Sequence, residues 1–505
     1  MAFQGPFFAA LDFGTGGGKC AIFDSEGVCL SVVREPWAYE HVSFEHDDLI
    51  VGSSFDPHAF WAALARCSRA AIAKAGVSPD AVCGIAATAL RLGTMFLDAR
   101  GHEIYAAPNM DGRGLAGGFE ILEKMDATRA TRITGHWPPF VFTLARLLRF
   151  RKLEGQPPVA WVLSLNDWIT YRLSGALASE PSNAGESMLL DVGTRTWSPE
   201  ILDTFSVDED LLPPVVEPGT PLGRVTSEAA EQTGFATGTR VFAGGADTQC
   251  ALLGAGVVNP GHAGAVLGTT TPVMFVDSKT RFSDEGKLWT GCHVVPERWT
   301  LESNAGDTGI AFEWLLGILG LDGDDAYERA EKLIGEVPAD ASEVMSFAGP
   351  QIFDLANFDP NRPAAFVFDN NPFSTRPTTG SFLRGFLANV ACATRANLEQ
   401  IETVLGHEVA SLTLSGGMTR LPSLLRQFER TSRRSLLVSD EPHATALGAA
   451  LLAAVGARVH EGVEQATEAM VRIRPLCSEA EANDAGDAEY ERWRKRYPEV
   501  QKLPF

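Results

Sequence analysis

Leu11-Asp12-Phe13-Gly14-Thr15-Gly16-Gly17-Gly18-Lys19, followed by Ile22-Phe23-Asp24, is the stretch that decides how this chain is read. It spells two short strands joined by a glycine-rich turn able to receive a phosphate. Glycines let the backbone approach an anion, Thr15 adds a hydroxyl donor, and Asp12 at the strand end can hold the water shell of a metal ion. Taken alone, such a turn is equally the loop of an ordinary tight hairpin. The pattern returns at Val266-Leu267-Gly268-Thr269-Thr270-Thr271-Pro272, running into Val273-Met274-Phe275-Val276-Asp277. Apolar entry, Gly-Thr turn and apolar exit closed by Asp thus occur twice, which predicts two related domains.

The 505 residues are enough for two large domains, and 45% apolar with 21% charged residues is a globular balance. A net charge of -22 repels nucleic acid and anionic lipid, so a bound phosphate must rely on local backbone donors and a divalent cation. Neither nucleic acid nor a membrane is expected as a partner. The longest apolar run, Ala444 to Ala457, is rich in Ala, broken by Gly448 and Gly456 and short of a membrane span, which predicts a buried helix. Met1 to Ala10 lacks the basic region and cleavage pattern of a secretory signal, which predicts a cytoplasmic protein. Eight scattered cysteines, at 20, 29, 67, 83, 250, 292, 392 and 477, form no Cys-x-x-Cys pair and argue against disulfides and zinc.

Organisation follows the punctuation. Pro57 to Ala75 spaces Phe60, Leu64 and Ile72 as a helix before a strand from Ala81 to Ala87, a βαβ beginning. A helical stretch covers Pro139 to Arg151. Trp161 to Leu165 reads as a strand and Asp167 to Ser174 as a helix stopped by Gly175. The Pro-rich Leu211 to Leu222 is an expected connector into a strand from Arg240 to Gly244. The pattern restarts near Ala246, placing a boundary between about 245 and 262, with domains 1–250 and 251–505. Ser381 to Leu405 spaces apolar residues as a long helix, then a strand at Leu412 and Leu414 turns at Gly416-Gly417, and Pro422 opens another helix.

Three stretches now fit one template. They are the opening hairpin, Phe242-Ala243-Gly244-Gly245-Ala246-Asp247-Thr248-Gln249, and Ser415-Gly416-Gly417-Met418-Thr419-Arg420 followed by Glu441-Pro442-His443-Ala444-Thr445-Ala446-Leu447-Gly448. Together, from about Ala9 to Gly456, the chain resembles the FGGY carbohydrate kinases. The resemblance implies an α/β fold of two actin-like, ribonuclease-H-like domains with ATP and Mg2+ in the cleft between them, and a small sugar or polyol as phosphate acceptor. Within the family, Asn109-Met110-Asp111-Gly112-Arg113, Asn166-Asp167-Trp168 and Pro181-Ser182-Asn183-Ala184-Gly185 are most similar to the autoinducer-2 kinases. Xylulose kinases place a Gln, a small or apolar residue and a His where this chain has Leu90, Arg91 and Leu92. Glycerol and autoinducer-2 kinases carry an Arg-Glu pair there, of which only Arg91 is kept.

The resemblance assigns Asp247 as the catalytic base and, with Asp12 acting through water, as a metal-side carboxylate. The glycines before Asp247 are expected to let substrate pack on bare backbone. A helix N-cap is the alternative role for that Asp. Gly14, Thr15 and Gly16 from one domain and Gly268, Thr269 and Thr270 from the other are expected at the transferred phosphate, with Gly309, Gly416, Gly417 and Met418 at the nucleotide. Arg91, Asn109 and Asp111 are expected to bind substrate hydroxyls, Arg113 being either a fourth or a structural partner of Asp111. His136 and Trp137 are read either as rings near the sugar or as core. Leu90 and Leu92 are expected to make the pocket less polar.

Substrate binding is expected to close the domains and exclude water, and the working form is expected to be a homodimer. Two other activities share these features. One is a xylulose or other pentulose kinase; the other is an actin-like or chaperone-like ATPase, which needs a polymer interface or a peptide-binding domain. A nicotinamide dehydrogenase is excluded, because Leu11 to Gly18 lacks the Gly-x-Gly-x-x-Gly order that opens a helix.

Overall fold

The computed structural model describes residues 5–42, 52–283, 286–337, 343–354, 362–369, 375–476 and 484–503. Cys477 and the first four residues lie outside them. Alternation along the first strand, Phe7–Gly14, sets the architecture. Phe7, Ala9, Leu11 and Phe13 face one core, and Phe8 and Ala10 face another. A strand buried on both sides must be central in a sheet covered by helices on both faces. It pairs antiparallel with Gly17–Asp24 and parallel with Val82–Ala89. The full six-stranded order is 221–224, 240–246, 82–89, 7–14, 17–24, 29–36.

The second sheet repeats this. Ala263–Val266 pairs antiparallel with Thr270–Asp277 and parallel with Ser411–Ser415, which pairs parallel with Ser435–Ser439. Its third strand, Trp299–Asp307, lies beyond Thr270–Asp277, as Cys29–Pro36 lies beyond Gly17–Asp24. Edge strands Trp289–Cys292 and Ile473–Pro475 complete seven. Three antiparallel strands continued by two parallel ones, twice in one chain, make the α/β fold of two actin-like lobes.

Helix Pro57–Ala75, begun by Asp56 accepting from His58 N–H and ended by Gly76 in the left-handed region, covers one face of the first sheet with Leu165–Ser174. The other face carries two helices, one from each half of the chain. Asp247–Gly254 follows the last parallel strand of the first sheet, and Ala444–Gly456 follows that of the second. Ala444–Gly456 is apolar all round because it is enclosed by that helix and the strands of the first sheet. Asp247–Gly254 also reaches the second lobe, where Leu252 packs with Met274 and Val276.

The two helices touch backbone to backbone. A Cβ on Gly254 would lie 1.9 Å from the Ala444 carbonyl oxygen, and one on Gly448 1.9 Å from the Cys250 carbonyl oxygen. Among the described residues no helix is long and apolar enough to cross a membrane.

A methyl group at this crossing has nowhere to go. Gly448→Ala is expected to lower stability by about 1–3 kcal/mol, read as an earlier urea midpoint. Gly335→Ala, at a site with nothing within 4 Å of the new Cβ, is the control and is expected to stay within about 0.5 kcal/mol.

Candidate active site

Asp247 stands where the strand Arg240–Ala246 becomes the helix Asp247–Gly254, at the lobe interface and partly open to solvent. Its Oδ1 accepts from the Thr248 N–H at 2.7 Å and the Thr248 hydroxyl at 3.2 Å. The helix therefore fixes its rotamer, and the N-cap itself is Ala246. Burial pushes the Asp247 carboxyl up and Asp12 adds to this, while Arg91 opposes; the outcome is about 6. Behind it, the Ser182 hydroxyl accepts from Ala246 N–H at 2.9 Å and donates to Glu180 at 2.7 Å, tying down the strand end. Burial raises Glu180 to about 7.

Asp12 lies directly across the first hairpin from Lys19, and Lys19 Nζ reaches Asp12 Oδ2 at 3.0 Å. The carboxylate is 3% exposed. His443, at the head of Ala444–Gly456, is pushed down to about 4 by burial, Lys19 and Arg420, so it is neutral at pH 7.

The expected glycine turns of the second lobe are stitched into one surface. Gly309 N–H donates to Gly268 O at 2.9 Å and Thr308 N–H to Thr269 O at 2.9 Å. Leu267 N–H donates to Ser415 O at 2.7 Å and Met418 N–H to Leu267 O at 3.2 Å. Gly416 has φ +97°, and a Cβ there would sit 2.6 Å from the Leu267 carbonyl oxygen, so position 416 requires glycine for both conformation and space. Beside it, a Cβ on Gly417 would meet nothing within 4 Å, leaving open backbone. In the first lobe Gly14 and Thr15 are partly buried and Gly16 is exposed at the hairpin tip.

Arg91 is presented by a strained loop. Leu92 sits at φ +63°, a left-handed conformation costing about 1–2 kcal/mol for such a residue, and its carbonyl is held by the buried Arg146 guanidinium. From there Arg91 crosses to the second lobe and meets Glu302 in a bidentate pair, Nη2 to Oε1 at 2.7 Å and Nη1 to Oε2 at 2.5 Å. Nη1 also reaches Glu186 Oε1 at 3.2 Å. Burial alone would weaken the proton on Arg91, but Glu302 and Glu186 hold it above the ordinary arginine range. Glu186 is in turn brought down to about 2, against the pull of burial, by Arg91 and His136. His136 Nε2 lies 3.2 Å from Glu186, and Asn304 Nδ2 donates to Glu302 at 3.1 Å.

Several expectations change here. Asp111 does not face an open site. It is fully buried and accepts from Arg113 Nε at 2.8 Å, Ser53 N–H at 3.0 Å and Tyr105 Oη at 2.5 Å, with Arg146 Nε at 3.6 Å. Arg113 is thus its structural partner. Leu90 lies in the first-lobe core, away from any opening, while Leu92 packs toward a second cluster and stays partly exposed. His136, 1% exposed and flanked by Phe142 and Trp289, is core, its Nδ1 2.7 Å from the Thr134 carbonyl oxygen and its Nε2 facing Glu186. The bare backbone of Gly244 and Gly245 is filled by protein rather than substrate. A Cβ on Gly244 would strike the Ala87 carbonyl at 1.7 Å, and one on Gly245 would meet Val294 of the second lobe at 2.3 Å. Asn109 keeps a buried Oδ1 with no hydrogen-bond partner, a free acceptor. Glu186, Glu302, Ser182 and Lys19 were not singled out by sequence.

Residues 7–254 match the model of the N-terminal domain of the FGGY family of carbohydrate kinases, and residues 263–457 that of its C-terminal domain. The autoinducer-2 kinase of Escherichia coli (strain K12) is 31% identical over 481 residues, spanning 92% of this chain and 89% of the relative. That of Salmonella typhimurium (strain LT2) is 31% identical over 487 residues, 93% and 89% of the two chains. Among solved structures, a xylulose kinase from Rhodospirillum rubrum superposes with TM-score 0.79 at 24% identity, over 98% of this chain and 99% of that one. Plasmodium falciparum glycerol kinase with ADP gives 0.80 at 17%, over 99% of each. The structural likenesses show a shared fold.

Arg146→Met strips the buried cation from Asp111 and from the Leu92 carbonyl, and is expected to cost about 3–5 kcal/mol. Asn109→Ala removes an amide oxygen without a protein partner and is expected to cost under about 0.5 kcal/mol. Urea denaturation of the two variants measures both.

Proposed function

This chain belongs to the FGGY family of carbohydrate kinases and is an ATP-dependent sugar kinase, and on that premise we propose that it phosphorylates a hydroxyl of a small, uncharged sugar, polyol or related linear carbonyl compound, with Asp247 as the base. The observation that carries the reading is the position of Asp247. It is a fixed carboxylate between the lobes with a proton affinity raised to about 6, ionised at neutral pH yet basic enough to accept a proton as the bond forms. The acceptor oxygen attacks the terminal phosphorus in line, the bond from that phosphorus to the ADP oxygen breaks, and the acceptor proton passes to Asp247.

Gly268 to Thr270, Gly309 and Gly416 to Met418 form the proposed nucleotide surface, supported by their backbone bonds to one another and the open backbone at Gly417. Gly14 to Gly16 would meet the phosphates from the first lobe. Mg2+ suits a site with few carboxylates, because it keeps most of its water and is carried largely by the nucleotide phosphates. Asp12 would hold it through water and Asp247 would face it; when bound it neutralises charge on the transferring phosphate. The division of labour puts acceptor binding on residues 1–250 and nucleotide binding on 251–505.

Acceptor charge follows from Arg91. It is the cation acting on Asp247, and its guanidinium is already shared by Glu186 and Glu302. A carboxylated sugar would bring another anion to Asp12, Asp247 and this pair, where the cation acting on Asp247 is already shared by two carboxylates. Arg91 and Asn109 are the proposed contacts to neutral hydroxyls. The name of the relatives makes the linear precursor of autoinducer-2 the first acceptor to try.

Asp247→Asn is expected to keep ATP affinity within a few-fold while lowering kcat by about 10²–10⁴; turnover near that of the unaltered protein removes Asp247 as base. In the unaltered enzyme kcat/KM is expected to fall as pH drops through about 6, where Asp247 gains a proton. Coupled ADP release should be highest among neutral tetritols, polyols, pentuloses and the autoinducer-2 precursor, and lowest for aldonates. Preferential turnover of an aldonate overturns the charge argument.

A further inference from the structure

We propose that Glu302, from the second lobe, is a positioning residue of the acceptor pocket: it holds Arg91 of the first lobe in its working orientation, so the pocket is complete only with the lobes together. This rests on the reading of Arg91 as an acceptor contact. Three observations carry it. The pair is bidentate and spans the cleft, with side chains 10% and 3% exposed, so a planar guanidinium is fixed by a planar carboxylate in a dry setting. Glu302 is itself oriented, its Oε1 accepting from Asn304 Nδ2 on the same strand. And Arg91 leaves a loop whose strain at Leu92 persists under the grip of Arg146, so its stem is set from behind while its tip is set from across the cleft.

Without Glu302, Arg91 keeps only the single 3.2 Å contact with Glu186. The guanidinium is then free to swing on its flexible stem, and the acceptor loses an aligned donor. A residue that only props up the fold would not move acceptor affinity selectively, so the split between acceptor KM and ATP KM separates the two roles.

The test is Glu302→Gln in the full chain, with Arg91→Met beside it, using whichever acceptor the screen selects. Glu302→Gln is expected to raise acceptor KM about tenfold or more with ATP KM within about twofold. If Arg91→Met raises acceptor KM and Glu302→Gln leaves it unchanged, Glu302 is not the holder and the proposal falls. If Arg91→Met also leaves acceptor KM unchanged, the reading of Arg91 as an acceptor contact falls with it. Should Glu302→Gln not fold, Glu302→Asp, with the same charge on a shorter stem, is expected to raise acceptor KM by a smaller factor. An unchanged KM in that variant likewise overturns the proposal.

Discussion

Two helices pressed together without side chains between them hold this molecule as one body. Gly254 and Gly448 allow the backbones of Asp247–Gly254 and Ala444–Gly456 to meet at the carbonyls of Ala444 and Cys250. Each helix continues the last parallel strand of its own sheet, yet Ala444–Gly456 is buried against the first. The consequence reaches the chemistry directly, since Asp247 is the first residue of one helix and His443 immediately precedes the other. Dense packing transmits the position of one to the other, so the candidate base owes its place to this apolar, long-range contact as well as to its hydrogen bonds with Thr248.

A second layer of constraint surrounds Arg91. Arg146, itself fully buried, spends its guanidinium on carbonyls of Leu92, Pro108, Asn109 and Asp111 and lies beside the Asp111 carboxylate. One buried cation thereby organises two loops that sequence alone presents as separate binding segments. Its solvation is replaced largely by backbone oxygens, which meet both terminal nitrogens, while Nε has no hydrogen-bond partner and lies 3.6 Å from the Asp111 carboxylate.

What could be read from sequence was local. Both hairpins, the glycine turns and the aspartate at the end of Arg240–Ala246 depend on residues within about ten positions of one another, and their conformations follow from backbone freedom and alternation. The helix Pro57–Ala75 was legible for the same reason, between Asp56 and Gly76. The third strands, Cys29–Pro36 and Trp299–Asp307, were not, because each mixes polar and apolar residues along its length. Glu186 and Glu302 were invisible because their partner Arg91 stands 95 and 211 residues away, and a glutamate in a short turn or a strand looks like solvated surface until its opposite charge is located. Asp111 misled for a different reason. An acid after a strand that binds a sugar and one that neutralises buried arginines carry the same letter, and only the surrounding dielectric separates them.

The lobes are joined a second time, far from the crossing helices in sequence. Thr290 N–H donates to Gly135 O at 3.0 Å, Trp289 Nε1 to the Trp137 carbonyl at 2.9 Å, and Trp299 Nε1 to the Val192 carbonyl at 2.6 Å, while Arg195 reaches the carbonyls of His293 and Arg298. A body pinned at one point can tumble about it in any direction, whereas one pinned at two keeps a single swing about the line between the pins. Any displacement of one half against the other that spares both joints is therefore confined to a rocking about the line between them, and it must also carry or break the further link from Arg91 to Glu302.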